Sequence, residues 1–126
     1  MDLDLYPATL HKTRYARWRE DLGRREHWDE TVWRYVDYFT AMLKDRTGYV
    51  VPQSTRQAVF DAIYRLEVMP SMRSLMTAGV ALKSAEVANF NCAYLPADSI
   101  AALSEHMFIL MCGSGSGFSV ERRFTD

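Results

Sequence analysis

The sequence predicts an α/β chain: a mostly helical N-terminal region followed by the start of a strand–helix–strand segment. Three observations predict it. Apolar residues recur at three- and four-residue steps through two stretches of the first half, a third such stretch fills 100–111, and two short β-rich runs, 89–95 and 118–121, flank that third stretch. The boundary falls between 85 and 86, giving a helical region 1–85 and an α/β region 86–126.

Residues 1–27 are polar, Arg-rich and interrupted by Gly23, and are expected to be irregular, with Tyr15 and Trp18 in need of a surface to lie on. A first helix is expected near Asp29, whose carboxylate can cap the free amides of the first turn. Val32, Tyr35, Val36, Phe39 and Leu43 form its apolar stripe, and Lys44, Arg46 and Gly48 suit its end. After Val50-Val51-Pro52, a second helix is expected with Ser54 and Gln57 at capping-box spacing, Val59, Ile63 and Leu66 on its buried side, and Pro70 as its stop. A short helical turn over 71–78 closes at Gly79. Residues 89–95 read as a strand ending at Pro96, and Asp98 or Ser99 caps a third helix. Ile100, Leu103, Met107, Leu110 and Met111 are expected to be its inner face. A loop, 113–117, then leads into a strand, 118–121. Two short strands do not make a stable sheet unaided, which points to a fragment or to one partner of a split protein.

Composition excludes several classes. The net charge of -1, from 15 basic and 16 acidic side chains, argues against a broad nucleic-acid-binding face. Lys12, Lys44 and Lys83 are the only lysines, so the basic side is nearly all arginine, suited to paired or phosphate-facing contacts. No secretory signal and no membrane-spanning run is evident. Two cysteines without a signal read as reduced cytoplasmic thiols, and His11, His27 and His106 fit no metal-ligand spacing.

Three segments are candidates for chemistry. Gly113-Ser114-Gly115-Ser116-Gly117 permits a close backbone approach by a ligand, but its helix–loop–strand order is neither a P-loop nor a dinucleotide fingerprint. Cys92 is either a small buried hydrophobe or a reactive thiol, and Cys112 sits at a helix-to-loop junction. The turn Pro70-Ser-Met-Arg-Ser74 is either a helix cap or a phosphate cradle.

Four segments, in this order, resemble the N-terminal part of adenosylcobalamin-dependent (class II) ribonucleotide reductases. They are Arg14-Tyr-Ala-Arg-Trp18 with Gly23-Arg-Arg-Glu-His-Trp-Asp-Glu-Thr-Val32, Met69-Pro-Ser-Met-Arg-Ser-Leu-Met-Thr-Ala-Gly79, Asn91-Cys-Ala-Tyr94, and Gly113-Ser-Gly-Ser-Gly-Phe-Ser-Val-Glu121. The resemblance implies that 86–126 begins the ten-stranded α/β reductase barrel, with Cys92 as one half of the redox pair that reduces the ribose 2′ position. It places Asn91, Ser114 and Gly115 against the nucleotide and Ser71 near its phosphates; relatives often carry a hydroxyl residue where this chain has Met69, which weakens the phosphate role. Cys112 matches no redox cysteine. The resemblance further implies adenosylcobalamin bound elsewhere, a ribonucleoside di- or triphosphate substrate, a thioredoxin-type reductant, and a remaining polypeptide without which this chain is inactive. Two other readings stand beside it: a non-catalytic helical module that binds a partner through the 99–112 helix, and an independent helical domain.

Overall fold

The computed structural model describes residues 4–125, which divide into two compact units that meet between Gly79 and Val80 in the chain.

In the first unit the N-terminal segment is not irregular. It contains α1 (Leu5–Leu10), a π-helical turn (His11–Tyr15), and a two-residue hairpin of β1 (Trp18–Arg19) and β2 (Arg24–Arg25) paired Trp18 to Arg25 and Arg19 to Arg24. The order of this polar stretch comes from ion pairs and buried hydrogen bonds, which leave no apolar period to read. The helix α2 (Trp28–Thr47) starts before Asp29, because Trp28 is itself buried and its indole Nε1 donates to the Tyr64 carbonyl at 3.0 Å. The amide of His27 is satisfied by Glu30, at 2.7 Å, in place of the expected Asp29 cap. At the other end Gly48, with φ 76°, turns the chain out of the helix as expected.

The helix α3 (Gln53–Tyr64) stops six residues short of the proline expected to end it, and its N-cap is Pro52, not Ser54. Its buried residues are Phe60 and Ile63, while Val59 and Leu66 stay exposed. Trp33, Phe60 and Tyr64 stack in a column at 4.4 and 5.4 Å, and this aromatic seam sets the face that α3 turns inward. The core joins Trp28, Val32, Val36, Phe60, Ile63 and Leu75. Leu66 ends α3 with φ 60°, a left-handed conformation that opposes a branched side chain. Leu66→Gly is therefore expected to stabilise the unit by about 1 kcal/mol, since little packing is lost at this exposed position. Thermal unfolding checks this, and a lower midpoint would contradict it.

A short helix, α4 (Met72–Thr77), follows, with Ser71 as its N-cap. Its C-terminal carbonyls are taken by two guanidiniums: Arg34 Nη1 donates to Leu75 and Ala78 at 3.1 and 2.8 Å, and Arg17 Nη2 donates to Met76 and Thr77 at 3.1 and 3.3 Å. Glu26 holds this arrangement. Its carboxylate, in a residue 4% exposed, accepts from Arg34 Nε at 2.9 Å, from the Arg17 amide at 3.1 Å and from Thr31 Oγ1 at 3.0 Å. His11 Nε2 meets the same Thr31 hydroxyl at 2.8 Å.

Burial, with Lys12 adding to it, lowers the His11 pKa below the ordinary 6.5. Stability gained by keeping His11 neutral is complete above pH 6.5 and is lost as the pH falls below it. Glu30, hydrogen-bonded by Arg24 and by the His27 amide, is lowered from 4.5 to about 2, so its contribution holds above pH 4.5 and fades towards 2. An acid titration followed by near-ultraviolet circular dichroism is expected to show loosening that begins below pH 6.5, ahead of the carboxylates. In His11→Asn that first phase should vanish; its persistence would assign it elsewhere.

The second unit opens with α5 (Val80–Ser84) and a 3₁₀ turn (Glu86–Asn89) that occupies the start of the expected strand. The strand β3 is Cys92–Pro96. The helix α6 (Ile100–Met111) is capped by Ser99, whose hydroxyl accepts from the Ala102 amide at 3.3 Å. The strand β4 (Gly115–Ser119) pairs parallel to β3, in register from Cys92–Gly115 to Pro96–Ser119. Residues 115–117 therefore lie in the strand, not in a loop, and the expected strand 118–121 begins three residues early. Glycine's poor strand propensity concealed this pairing. A last helix, α7 (Arg122–Thr125), follows.

The helix α6 reverses its expected orientation. Ala102 and His106 are its buried residues, whereas Ile100, Leu103, Met107, Leu110 and Met111 lie between 53% and 86% exposed. Helix α6 is apolar over most of its circumference, and the side that meets the sheet carries Ala102 and His106, the latter hydrogen-bonded to Ser116, instead of the widest apolar stripe.

Candidate active site

The parallel pair β3–β4 has two unlike faces. On one, α6 covers the sheet: His106 Nδ1 is hydrogen-bonded to Ser116 Oγ, and the His106 ring sits edge-on to Phe118 at 5.9 Å. On the other, Cys92 and Tyr94 stand beside Gly115 and Gly117. A Cβ built on Gly115 would lie 3.7 Å from Cys92 Sγ, and one on Gly117 would lie 3.9 Å from Tyr94 Cδ2. This alternation follows from the period of a strand, which sends neighbouring side chains to opposite faces. Cys92 is a free, exposed thiol, not the buried hydrophobe that its strand position alone suggested.

The backbone behind the thiol is tied down by Ser114 and Gly115. Ser114 is 2% exposed, and its hydroxyl is hydrogen-bonded to the Val87 carbonyl at 2.9 Å and to the Phe90 carbonyl. The Gly115 amide donates to the Asn91 carbonyl at 2.8 Å. Ser114 thus offers its side chain to the approach to Cys92 and not to open space, while Gly115 is exposed. Asn91 is exposed immediately before Cys92. These four expected site residues, Asn91, Cys92, Ser114 and Gly115, come together in one place. The fifth, Ser71, belongs to the first unit, where it is exposed and its hydroxyl accepts from the Ser74 amide at 3.4 Å. Cys112 is half-buried at the C-terminus of α6.

Sequence reasoning gave no role to Tyr94 or His106, and took Ser116 and Gly117 only as part of a ligand-approach loop. The two-residue step from Cys92 to Tyr94 is the signal that would have placed that ring on the thiol's face.

The ribonucleotide reductase alpha domain model matches residues 6–80, more than half of the chain. The chain belongs to the ribonucleotide reductase alpha domain family. Among curated reductases, the adenosylcobalamin-dependent ribonucleoside-triphosphate reductase of Lactobacillus gasseri is 30% identical over 137 residues, which cover 87% of this chain and 18% of that protein. The enzyme of the same description from Lactobacillus leichmannii is 39% identical over 75 residues, 55% of this chain and 10% of that one. A crystal structure of a B12-dependent (class II) ribonucleotide reductase superposes with a TM-score of 0.73 at 27% identity, covering 92% of this chain and 20% of that one. This reductase-family chain therefore spans about a fifth of the length of its relatives.

Three open grooves among the described residues hold about 400, 470 and 380 Å³, the scale of a small ligand. Among the described residues no group of three or more His, Cys, Asp or Glu side chains could hold a metal ion, and no helix is long and apolar enough to cross a membrane.

Proposed function

We propose that this chain supplies the N-terminal part of a class II ribonucleotide reductase catalytic subunit and that Cys92 is one thiol of its redox pair. The observation that carries the reading is the exposed Cys92 sulfur beside the bare backbone of Gly115, where no side chain obstructs a sugar. Cys92 and a second thiol in the remaining polypeptide are oxidised together to a disulfide. Their two electrons and two protons replace the ribose 2′-hydroxyl with hydrogen and release it as water. A dithiol of the thioredoxin type then reduces the disulfide.

In this reading Asn91 and Gly115 flank the sugar, Ser114 fixes the backbone that aims the thiol, and Ser71 lies near the phosphates. The unit β3–α6–β4 forms the first strands of the ten-stranded barrel, and the remaining polypeptide holds adenosylcobalamin and the radical-bearing cysteine. The printed names of the relatives favour a ribonucleoside triphosphate as substrate. Unpaired, reduced cysteines suit a cytoplasmic setting. A second reading, a non-catalytic module that binds a partner subunit, draws on the exposed apolar face of α6.

The test assembles the reductase from this chain and the polypeptide that completes it, with adenosylcobalamin, CTP and a dithiol. Deoxycytidine triphosphate is the expected product, and its formation should require this chain. Stable assembly with no product under any of these conditions would overturn the catalytic reading in favour of the module.

A further inference from the structure

The two glycines of β4 are not demanded by the fold. Neither Gly115 nor Gly117 has a positive φ. A Cβ on Gly115 would meet the Asn91 carbonyl at 3.5 Å and Cys92 Sγ at 3.7 Å, and one on Gly117 would meet the Ala93 carbonyl at 3.8 Å and Tyr94 Cδ2 at 3.9 Å, all ordinary contacts. Alanine would fit at both positions and would make the better strand. What the glycines provide is a lane of uncovered backbone along the sheet, starting at the thiol. Tyr94 stands at the far end of that lane, on the same face as Cys92 and 57% exposed. Side chains two apart on a strand are about 7 Å apart, so one small molecule can touch both.

We propose that Tyr94 is a further substrate-contacting residue of this site, and that the nucleoside of a ribonucleotide lies along the Gly115–Gly117 lane with its sugar at Cys92 and the Tyr94 ring as a wall beside Gly117. This inference rests on the catalytic reading given above. A phenol suits the place because it offers a flat apolar face and one hydroxyl, which match a nucleoside's ring and its polar edge. Stacking of this kind accepts different bases. The opposite face of the sheet is closed to a ligand by α6, with the Ser116 hydroxyl engaged by His106 and Phe118 against its ring.

The experiment uses the reductase assembled from this chain and its completing polypeptide, with CTP as the probe. Tyr94→Ala is expected to raise the KM for CTP by about tenfold, the effect of losing one stacked base. Gly117→Ala, which the fold accommodates, should raise KM in the same direction by placing a methyl group in the lane. Tyr94→Phe separates the contributions: a KM near the parent value assigns the contact to the ring face, and a rise matching Tyr94→Ala assigns it to the hydroxyl. Circular dichroism and iodoacetamide labelling of Cys92 in the isolated chain should be unchanged by Gly117→Ala. If Cys92→Ser abolishes turnover while Tyr94→Ala and Gly117→Ala leave KM and kcat at parent values, the inference alone is overturned. If Cys92→Ser turns over normally, the catalytic reading falls and takes the inference with it.

Discussion

Glu26→Gln is expected to lower the stability of the first unit by about 3–5 kcal/mol, because it leaves the Arg34 guanidinium buried without its counter-charge. The pair is well enclosed: the Arg34 and Glu26 side chains are 15% and 5% exposed, with Nε 2.9 Å from Oε1. Glutamine preserves the shape, but its amide nitrogen is a donor facing other donors: the Arg34 guanidinium, the Arg17 amide and the Thr31 hydroxyl. For a unit of this size the midpoint of thermal unfolding should drop on the order of 15 °C. A midpoint within about 2 °C of the parent for Glu26→Gln would show that water reaches the pair and screens it.

Cys92→Ser is expected to reduce deoxynucleotide formation by the assembled reductase to background without weakening assembly. Serine nearly matches cysteine in size, so the β3–β4 register and the Ser114 and Gly115 hydrogen bonds are retained. A hydroxyl cannot form a disulfide, and the two electrons needed at the sugar then have no source. Cys112→Ser is the control. Cys112 is the half-buried C-cap residue of α6, lies outside the β3–β4 pair, and matches no redox cysteine, so its loss should leave turnover intact. Product formation by Cys92→Ser at even a tenth of the parent rate, by chromatographic assay, would remove the thiol from the reaction.

The sequence and the structure agree where a periodic signal has one physical cause. Val32 and Val36 lie on the predicted stripe of α2 and are buried, and Gly48 ends that helix through its positive φ. The meeting of Cys92 with Gly115 was legible only through the family resemblance, because no local pattern reports a parallel pairing across an intervening helix. Two features were beyond the pattern. Residues 1–27 read as irregular because the order of their described part, 4–27, depends on Glu26 and two arginines that pair across long sequence separations. The inward side of α6 was misjudged because a helix apolar over most of its circumference offers several apolar stripes, and the side bearing Ala102 and His106, not the widest stripe, meets the sheet.

The short helix behind Ser71 would not persist as a free peptide, since six residues scarcely repay the nucleation of their first turn. It survives as a coil gripped from its tail: the guanidiniums of Arg17 and Arg34, planted 41 to 60 positions upstream, draw its last four oxygens towards them. The aim of the Ser71 hydroxyl is consequently inherited. Any change that slackens the charge cluster at Glu26 will be felt at that serine, even though the two are never joined by a direct bond.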